Sequence, residues 1–403
     1  MNRFSNGQVR KLFVCLFICL GFSLSVAAQN KLRAIEATSS KASLTDGENV
    51  RIDWKLDPEL KPDIYYVNVP RKRSVVRFTT DKGAISFNTK YGETHEFVVL
   101  LNAKDRCLIR IVAKEEPTAL SIHVDKLLPQ TIPFTLVGSR IYFQGKLNNK
   151  NDVAIQLDLG AGTATVNKNS TARMNISFTS KTSVSNTQGI NDLPTSVDNE
   201  LSIGGFSWKG VALTEVGNMQ PHEDLIIGNA FFQDKIVEID YDKKLLTIHD
   251  KLPVSAKTFT KQPVYFEQTR PKFKADFVQD GKKYSFWFLF DTGRDGTMLI
   301  GEDLTGQAEN WQSLKELQLI KGRKIVRLNA AIAGVEFKDI VTNAADPAKP
   351  GNRPSLFGNQ ILNHFNVILD NQKGFIYLKP NSRTNEPYSD YANYLKETSN
   401  QKQ

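Results

Sequence analysis

Two aspartates in this chain have the surroundings that acid–base chemistry requires. Asp291 lies in FLFDTGRDGTMLI, residues 288–300, and Asp158 lies in VAIQLDLGAGTATV, residues 153–166. In both stretches an apolar segment runs into Asp-x-Gly and out into a second apolar segment. Two carboxyl groups about 3 Å apart cannot both ionise, so they share one proton and supply an acid and a base together. Peptide hydrolysis needs both roles, and such a pair needs no metal, cofactor or covalent intermediate.

An internal repeat indicates that the two aspartates belong together. An isolated Asp-Thr-Gly triplet is a weak signal. However, LIIGNAFFQDKIVEIDY, which contains Gly228, is matched 130 positions later by SLFGNQILNHFNVILDN, which contains Gly358. Asp291 precedes Gly358 by 67 residues, and Asp158 precedes Gly228 by 70 residues. A two-fold repeat of this length favours an intramolecular pseudo-dimer over a solenoid.

The elements that must hold these residues are mainly β. Short segments with alternating apolar and polar residues, such as VVRFTT, AISFNT and KIVEIDY, are separated by turns rich in Gly, Asn and Asp. Residues 29–128 are expected to form a β-sandwich-like domain of unknown role, and LLPQTIP, residues 127–133, is expected to be a linker. Long helical periodicity is nearly absent. Short helices are expected at residues 228–234, 309–319, 358–364 and 388–397.

Two copies of one unit therefore follow the linker, and a polar tail at residues 382–403 ends the chain. We call residues 134–250 the first copy and residues 262–381 the second copy. Each copy resembles a lobe of the retropepsin-like aspartic proteases, in an exported bacterial form with two tandem lobes in one chain. Such lobes carry Asp-Thr/Ser-Gly on a loop, then a flap hairpin, then two apolar residues and a Gly before a short helix. Ile226-Ile227-Gly228 and Leu356-Phe357-Gly358 fit the last of these elements.

The resemblance implies a mainly β fold in which two retropepsin-like β-barrel lobes close on each other by pseudo-symmetry. It also implies an aspartic-type endopeptidase that activates water between Asp158 and Asp291. Because one chain supplies a complete pair of lobes, pairing between chains is unnecessary and we expect a monomer. Glycines after each aspartate let the loop turn tightly and bring amide groups to the carboxylates. The supporting residues that the resemblance assigns are Gly160, Thr292, Gly293, Gly228 and Gly358.

A flap in each copy would cover an extended peptide, pair with its backbone and exclude water. In the second copy, LQLIKGRKIVRL is typical of a hairpin that turns at Lys321 and Gly322. In the first copy, Gln188 and Gly189 mark a looser candidate. The partner that this arrangement implies is a peptide or an unfolded protein.

Two residues depart from the pattern of the family. Leu159 stands where the family has Thr or Ser, whose hydroxyl forms a hydrogen bond to the opposite loop. Thr292 therefore lacks an equivalent partner, and its hydroxyl is expected to bond to a backbone carbonyl instead. Arg294 stands where a small residue usually follows the Gly. A guanidinium pointing at Asp291 would lower its pKa and hold it ionised, unless Asp295 neutralises the guanidinium or turns it outward. The alternative function is therefore a catalytically inactive pseudoprotease that binds extended peptides in the same cleft.

The N-terminus indicates export. Three basic residues precede an apolar run, LFVCLFICLGFSLSV, and Val26-Ala27-Ala28 offers a cleavage site, as in a secretory signal peptide at residues 1–28. A retained membrane anchor is the alternative, but the run is short for a membrane span. Removal of the signal leaves Cys107 as the only cysteine, in RCLIRIV. We therefore expect no internal disulfide and a buried, inert thiol.

Charge and motifs favour no other class of function. The net charge of +9 falls to +6 without the signal, which has three basic residues and no acidic ones. The remaining positive charge is spread out, without a basic run interleaved with aromatics, so no nucleic acid is expected as a partner. The five histidines are scattered, which predicts no zinc site, and G-x-S-x-G is absent. Asp240 and Asp370 recur in both copies, each at the start of a turn, so a turn role is expected for them.

Overall fold

The structure of the chain is a computed structural model. It describes residues 32–47, 50–67, 74–113, 120–124, 127–186, 189–267, 269–320, 323–348, 353–388 and 391–400. The expected signal peptide at residues 1–28 lies outside these ranges. The prediction of a mainly β protein is confirmed, because strands far outnumber helices in the described residues.

The N-terminal region folds into two four-stranded sheets that share one core. The strand orders are β1-β7-β8-β4 and β3-β2-β5-β6. Side chains of both sheets, including Phe78, Phe97 and the buried thiol of Cys107, pack together between them. The strands are β1 (Arg33–Ala37), β2 (Lys41–Asp46), β3 (Val50–Lys55), β4 (Asp63–Tyr66), β5 (Ser74–Thr79), β6 (Ala84–Thr89), β7 (Thr94–Leu101) and β8 (Asp105–Val112).

The first copy and its approach contain twelve strands, one α-helix and a short 3-10 helix at Asn229–Phe232. The α-helix α1 (Lys168–Met174) begins after Asn167, whose side chain accepts a hydrogen bond from the Asn169 amide. The strands are β9 (Ser121–Val124), β10 (Gln130–Pro133), β11 (Thr135–Val137), β12 (Arg140–Leu147), β13 (Asn151–Leu157), β14 (Thr165–Asn167), β15 (Ser180–Asn186), β16 (Gly189–Ile203), β17 (Phe206–Val216), β18 (Leu225–Ile227), β19 (Ile236–Asp240) and β20 (Leu245–His249).

The second copy repeats this succession after a 3-10 helix at Val254–Thr258. Its strands are β21 (Thr260–Glu267), β22 (Arg270–Gln279), β23 (Lys282–Asp291), β24 (Met298–Leu299), β25 (Gln318–Ile320), β26 (Arg323–Ile332), β27 (Val335–Ala344), β28 (Leu356–Gly358), β29 (Phe365–Asp370) and β30 (Phe375–Pro380). Its helices are α2 (Glu302–Thr305), α3 (Ala308–Ser313) and α4 (Asn359–Leu362), and α5 (Tyr391–Asn400) lies in the tail.

The tail is not free of the fold. The Tyr388 ring packs on Phe337 with a centroid separation of 5.5 Å, and the Arg327 guanidinium lies 4.2 Å from the centre of the Tyr391 ring. These contacts hold the polar C-terminal segment against the second copy.

The same strand arrangement surrounds each aspartate. In the first copy, β13 ends just before Asp158 and pairs in parallel with β18, which pairs antiparallel with β14. In the second copy, β23 ends at Asp291 and pairs in parallel with β28, which pairs antiparallel with β24. The strand that leads to the aspartate is thus held in both copies by the strand that leads to Gly228 or Gly358.

The two copies meet along one antiparallel pair of strands, β19 and β29, near a pseudo-two-fold axis. Val237 pairs with Leu369, and Ile239 pairs with Val367. Since Val237 matches Val367 and Ile239 matches Leu369 in the repeat, the pairing is self-complementary, as at a symmetric dimer interface. One apolar core continues through both copies. Within the described residues, none of the helices has the length and apolar character that crossing a membrane requires.

Candidate active site

The structure brings Asp158 and Asp291 together. Their carboxyl groups lie close enough for each to shift the pKa of the other. Each loop also approaches the opposite carboxyl group. A Cβ built on Gly293 would lie 2.2 Å from the Asp158 carboxyl carbon, and one on Gly160 would lie 3.0 Å from that of Asp291. Only glycine leaves room for this approach, so both glycines are needed where they stand.

Backbone amides orient the two carboxyl groups. Asp158 accepts a hydrogen bond from the Gly160 amide at 2.8 Å. Asp291 accepts one from Gly293 at 3.1 Å and a second from Arg294 at 2.9 Å. Amide donors stabilise a carboxylate, and the loop of the second copy supplies two of them to one oxygen. The Asp291 carboxyl group is therefore the better prepared of the two to carry the negative charge.

Burial shifts both carboxyl groups towards the protonated form, and the charge of Asp291 shifts Asp158 further. Burial, followed by the charge of Asp291, raises the pKa of Asp158 well above its usual range. Burial also raises the pKa of Asp291, although the Arg294 guanidinium and amide oppose this rise. The pair titrates as one unit, and the state with a single proton extends to higher pH than for ordinary carboxyl groups. Both residues keep part of their surface exposed to solvent.

The Thr292 hydroxyl alone grips both loops. Thr292 is fully buried, and its hydroxyl donates to the Leu157 carbonyl at 3.0 Å. The same oxygen accepts a hydrogen bond from the Leu159 amide, also at 3.0 Å. The Leu159 side chain, which has no hydroxyl to return, is buried in the apolar core. Only one of the two reciprocal hydroxyl contacts of the family is therefore formed, that of Thr292. It includes the bond to a backbone carbonyl that was expected for Thr292.

Gly228 and Gly358 hold equivalent positions beneath the two aspartate loops. A Cβ built on Gly228 would lie 2.2 Å from the Ala161 carbonyl oxygen. A Cβ built on Gly358 would lie 2.3 Å from the Gly296 carbonyl oxygen. Real Cβ atoms do not approach backbone oxygens so closely, and both glycines therefore act through close packing rather than an unusual φ.

Two asparagines that follow these glycines brace the copies against each other. Asn229 donates to the Thr269 carbonyl at 2.8 Å, and Asn359 donates to the Ser139 carbonyl. Ser139 and Thr269 are 130 positions apart, so the two bonds are related by the repeat. The role of this pair was missed from the sequence, although the recurrence of Asn229 at Asn359 was a signal for it.

A second contact across the copies is one-sided. Arg140 donates through Nε to the Gly293 carbonyl at 2.8 Å, and Gln156 donates to the same oxygen at 3.0 Å. Buried Glu223 lies 3.9 Å from the Arg140 guanidinium. Arg270, the repeat counterpart of Arg140, bonds instead to the Glu267 carbonyl at 3.2 Å. Sequence reasoning missed this clamp, and only the recurrence of Arg at both positions pointed to it.

Asp295 does not neutralise Arg294. It accepts a hydrogen bond from the Ser139 hydroxyl at 2.7 Å and a weaker one from Gln360 at 3.4 Å. The Arg294 side chain is half-buried, and its charge acts on Asp291. Of the two arrangements expected from the sequence, the structure therefore has the guanidinium directed inward, beside the pair of carboxyl groups.

Each copy carries a hairpin in the segment where a flap is predicted. In the first copy, β15 and β16 are antiparallel, with Asn186 opposite Gly189, so Gly189 opens the returning strand. In the second copy, β25 and β26 are antiparallel, with Ile320 opposite Arg323. The predicted turn residues Gln188, Lys321 and Gly322 lie outside the described residues. The role of both hairpins as flaps stays a prediction.

The recurring Asp240 and Asp370 cap turns. Asp240 accepts a hydrogen bond from the Lys243 amide at 2.9 Å, and Asp370 accepts one from the Lys373 amide at 2.9 Å.

Throughout the described ranges, His, Cys, Asp and Glu side chains do not cluster in threes that could hold a metal ion. No protein-family model and no curated protein matches this chain.

Proposed function

We propose that this protein is an aspartic-type endopeptidase built from two retropepsin-like lobes, which correspond to the first and second copies. The observation that carries the proposal is that Asp158 and Asp291, supplied by equivalent loops of an internal repeat, lie side by side, with the glycine of each loop packed against the opposite carboxyl group. A buried pair of carboxyl groups that shares a proton is suited to hydrolysis of an amide by an activated water.

The contacts of the two loops suggest how the roles are divided at the start of a cycle. Asp291, with two amide donors and a guanidinium nearby, carries the charge and takes a proton from the attacking water. Asp158, with the higher pKa, holds the shared proton and donates it to the carbonyl oxygen of the substrate. As the tetrahedral intermediate collapses, Asp291 gives its proton to the leaving amine, and Asp158 takes a proton from a hydroxyl group of the intermediate, which restores the single proton of the pair.

The rival function is a peptide-binding relative that does not cleave. Arg294 favours it, because a fixed positive charge beside Asp291 weakens this carboxylate as a base. The two hydrogen bonds of the Thr292 hydroxyl to the Asp158 loop support the enzyme, because they hold the geometry that catalysis needs and that binding alone does not.

The test is cleavage of an unfolded protein across a range of pH. Mature protein is incubated with reduced, carboxymethylated casein between pH 3 and pH 8, beside the variant Asp291→Asn. We expect cleavage by the unmodified protein only, with activity lost as the pH rises through the upper pKa of the pair, when the shared proton is released. Because both pKa values are raised, this loss should lie above the range of ordinary carboxyl groups.

A matched control separates loss of chemistry from loss of charge. Asp280 is exposed and pairs with Lys315 on the surface of the second copy, so Asp280→Asn makes the same chemical change far from the pair. It should leave cleavage unchanged. Equal activity of the unmodified protein and of Asp291→Asn at every pH would overturn the proposal. Tight binding of casein without cleavage at any pH would favour the pseudoprotease.

A further inference from the structure

The two loops present different side chains at equivalent positions on either side of the pair. Three residues after Asp158 stands Ala161, and three residues after Asp291 stands Arg294. Both residues lie against the glycine that precedes the short helix, since their carbonyl oxygens meet the Cβ positions of Gly228 and Gly358. An extended peptide that crosses the pair would therefore have a small neutral side chain on one side of the scissile bond and a guanidinium on the other.

The backbone of Arg294 is fixed, but its guanidinium is not used by the fold. The Arg294 amide donates to Asp291, and its carbonyl accepts a hydrogen bond from the Asn359 amide at 2.9 Å. Its Nε atom is buried and has no hydrogen-bond partner among the described residues. Among the residues that the structure describes, the Arg294 side chain forms no ion pair with a carboxylate. An arginine that only supported the loop would have such a partner, because a buried polar atom without one is costly.

Arg353 adds a second positive charge. It precedes β28, the strand that pairs with the end of β23, and its carbonyl accepts a hydrogen bond from the Glu302 amide at 2.9 Å. Burial lowers the pKa of Arg294, the charge of Asp291 opposes this effect, and the repulsion between the two guanidinium groups adds a smaller lowering. Within the described residues, Arg353 likewise has no ion pair.

The pair of carboxyl groups alone does not balance the charge of the two guanidinium groups. In its working state the pair of Asp158 and Asp291 carries one negative charge, whereas Arg294 and Arg353 carry two positive charges. Guanidinium groups match the geometry of a carboxylate through paired N–H donors. The net charge of the whole chain is also positive, which draws acidic ligands towards the protein.

We propose that Arg294, assisted by Arg353, is a specificity-determining site that binds a carboxylate of the peptide substrate on the second-copy side of the scissile bond. The substrate class is therefore peptides with an acidic side chain on one side of the bond that is cleaved. This inference rests on the proposed peptidase function for the site, and it adds the substrate preference. Arg294 contributes affinity through charge-assisted hydrogen bonds from its guanidinium to the carboxylate of the substrate.

The test compares peptides that differ in one charge. Each fluorescent decapeptide has an apolar central pair and a single Glu, which is placed in turn at each of the four positions on either side of that pair. A matched set carries Gln in place of Glu. With the unmodified protein, we expect Glu to raise kcat/KM over Gln by on the order of tenfold at one or two positions, on one side only. Raised salt should reduce this preference more than it reduces cleavage of the Gln peptides.

Variants assign the preference to its residue. Arg294→Gln should bring the ratio of kcat/KM for the Glu and Gln peptides to about one, whatever its effect on the cleavage of either set, whereas Arg294→Lys should retain part of the preference. Arg353→Gln should weaken the preference by a smaller factor. Because the Glu/Gln comparison uses the unmodified protein, a variant that folds poorly does not affect its result.

The outcomes separate this inference from the proposed function. Equal cleavage of Glu and Gln peptides at every position overturns the carboxylate site and leaves the peptidase in place. If no peptide is cleaved, the peptidase fails, and fluorescence anisotropy of the same peptides then decides the site. The carboxylate site is supported if the Glu peptides bind more tightly than the Gln peptides and if Arg294→Gln removes this difference. Equal or undetectable binding of both sets overturns the site.

Discussion

The loop at Asp158 and the loop at Asp291 share a backbone but differ in their side chains. Both follow a strand held in parallel by the strand that leads to a closely packed glycine, and both turn a carboxyl group onto the other. The side chains that follow are Leu159 and Ala161 in one loop, and Thr292 and Arg294 in the other. The backbone frame of the repeat was therefore kept in both copies, whereas the polar functions were concentrated in the second.

The contacts across the copies have the same asymmetry. The first copy holds the Asp291 loop through Arg140 and Gln156, which both donate to the Gly293 carbonyl. Their counterparts in the second copy do not return the contact. Arg270 bonds to Glu267, and Leu289, which occupies the position of Gln156, has no polar atom to offer. The first copy thus supports the site, and the second copy supplies most of its polar groups.

The largest effect on stability should come from the part that the copies share. Gly228→Ala and Gly358→Ala each place a Cβ within 2.2 or 2.3 Å of a backbone oxygen, which cannot move without shifting the aspartate loop. We expect each to lower the free energy of unfolding by at least about 3 kcal/mol. Denaturant unfolding measures this. Gly217→Ala, where nothing lies within 4 Å of the new Cβ, is the control and should be nearly neutral.

The single hydroxyl grip should be the next most sensitive part. Thr292→Val keeps the volume but leaves the buried Leu159 amide and Leu157 carbonyl without their partner. We expect a loss of about 2 kcal/mol in stability and a fall of roughly tenfold in kcat/KM. Thr292→Ser retains the hydroxyl and should retain most of both quantities. If Thr292→Val matched the unmodified protein, the grip would have no role.

The one-sided clamp gives a matched pair of variants. Arg140→Met removes one of two donors to the Gly293 carbonyl, and we expect kcat to fall by about threefold to tenfold with little change in KM. Arg270→Met, at the equivalent position of the second copy, should change kcat much less. Steady-state kinetics on one peptide measure both variants. Equal losses would contradict the asymmetry of the two loops.

The smallest effect concerns pH and stability. The raised pKa of Asp158 stabilises the fold below the unfolded value of 3.8, and this contribution is lost as the pH rises through the folded value. Asp158→Asn avoids ionisation of the buried group, so it should raise the melting temperature by a few degrees at pH 7 and by less at pH 4. Thermal unfolding at both pH values measures the difference. A shift that is equal at both values would show that the burial of Asp158 is unimportant.

Much of the frame could be predicted from the sequence because it follows from local rules and from the repeat. Alternating segments gave the β content, and the spacing of Gly228 and Gly358 led from one aspartate to the other. The expected helix at residues 309–319 was too long, because α3 ends at Ser313 and Gln318 already begins β25. There the Lys315 amide donates to the Gln279 side chain, a tertiary contact that no local pattern reveals.

The contacts that adapt the site to its two unlike loops could not be predicted in the same way. The bonds of Arg140 and Gln156 to Gly293 span 153 and 137 positions, and they depend on how the two copies close. The burial of His364 is a second such feature, because the folded-back tail covers it and its ring lies 5.9 Å from that of Tyr388. Both features depend on long-range packing, which residue type and spacing do not specify.

The most direct test of the account is whether Asp158 and Asp291 act as one unit. Hydrolysis of one peptide is measured with Asp158→Asn, Asp291→Asn and the double variant, after each has been shown to keep the melting profile of the folded protein. Because the pair supplies acid and base together, each single change should reduce kcat by about as much as the double change, on the order of a thousandfold or more. Losses that multiply in the double variant, or a single variant that retains activity, would contradict a shared proton at the junction of the two copies.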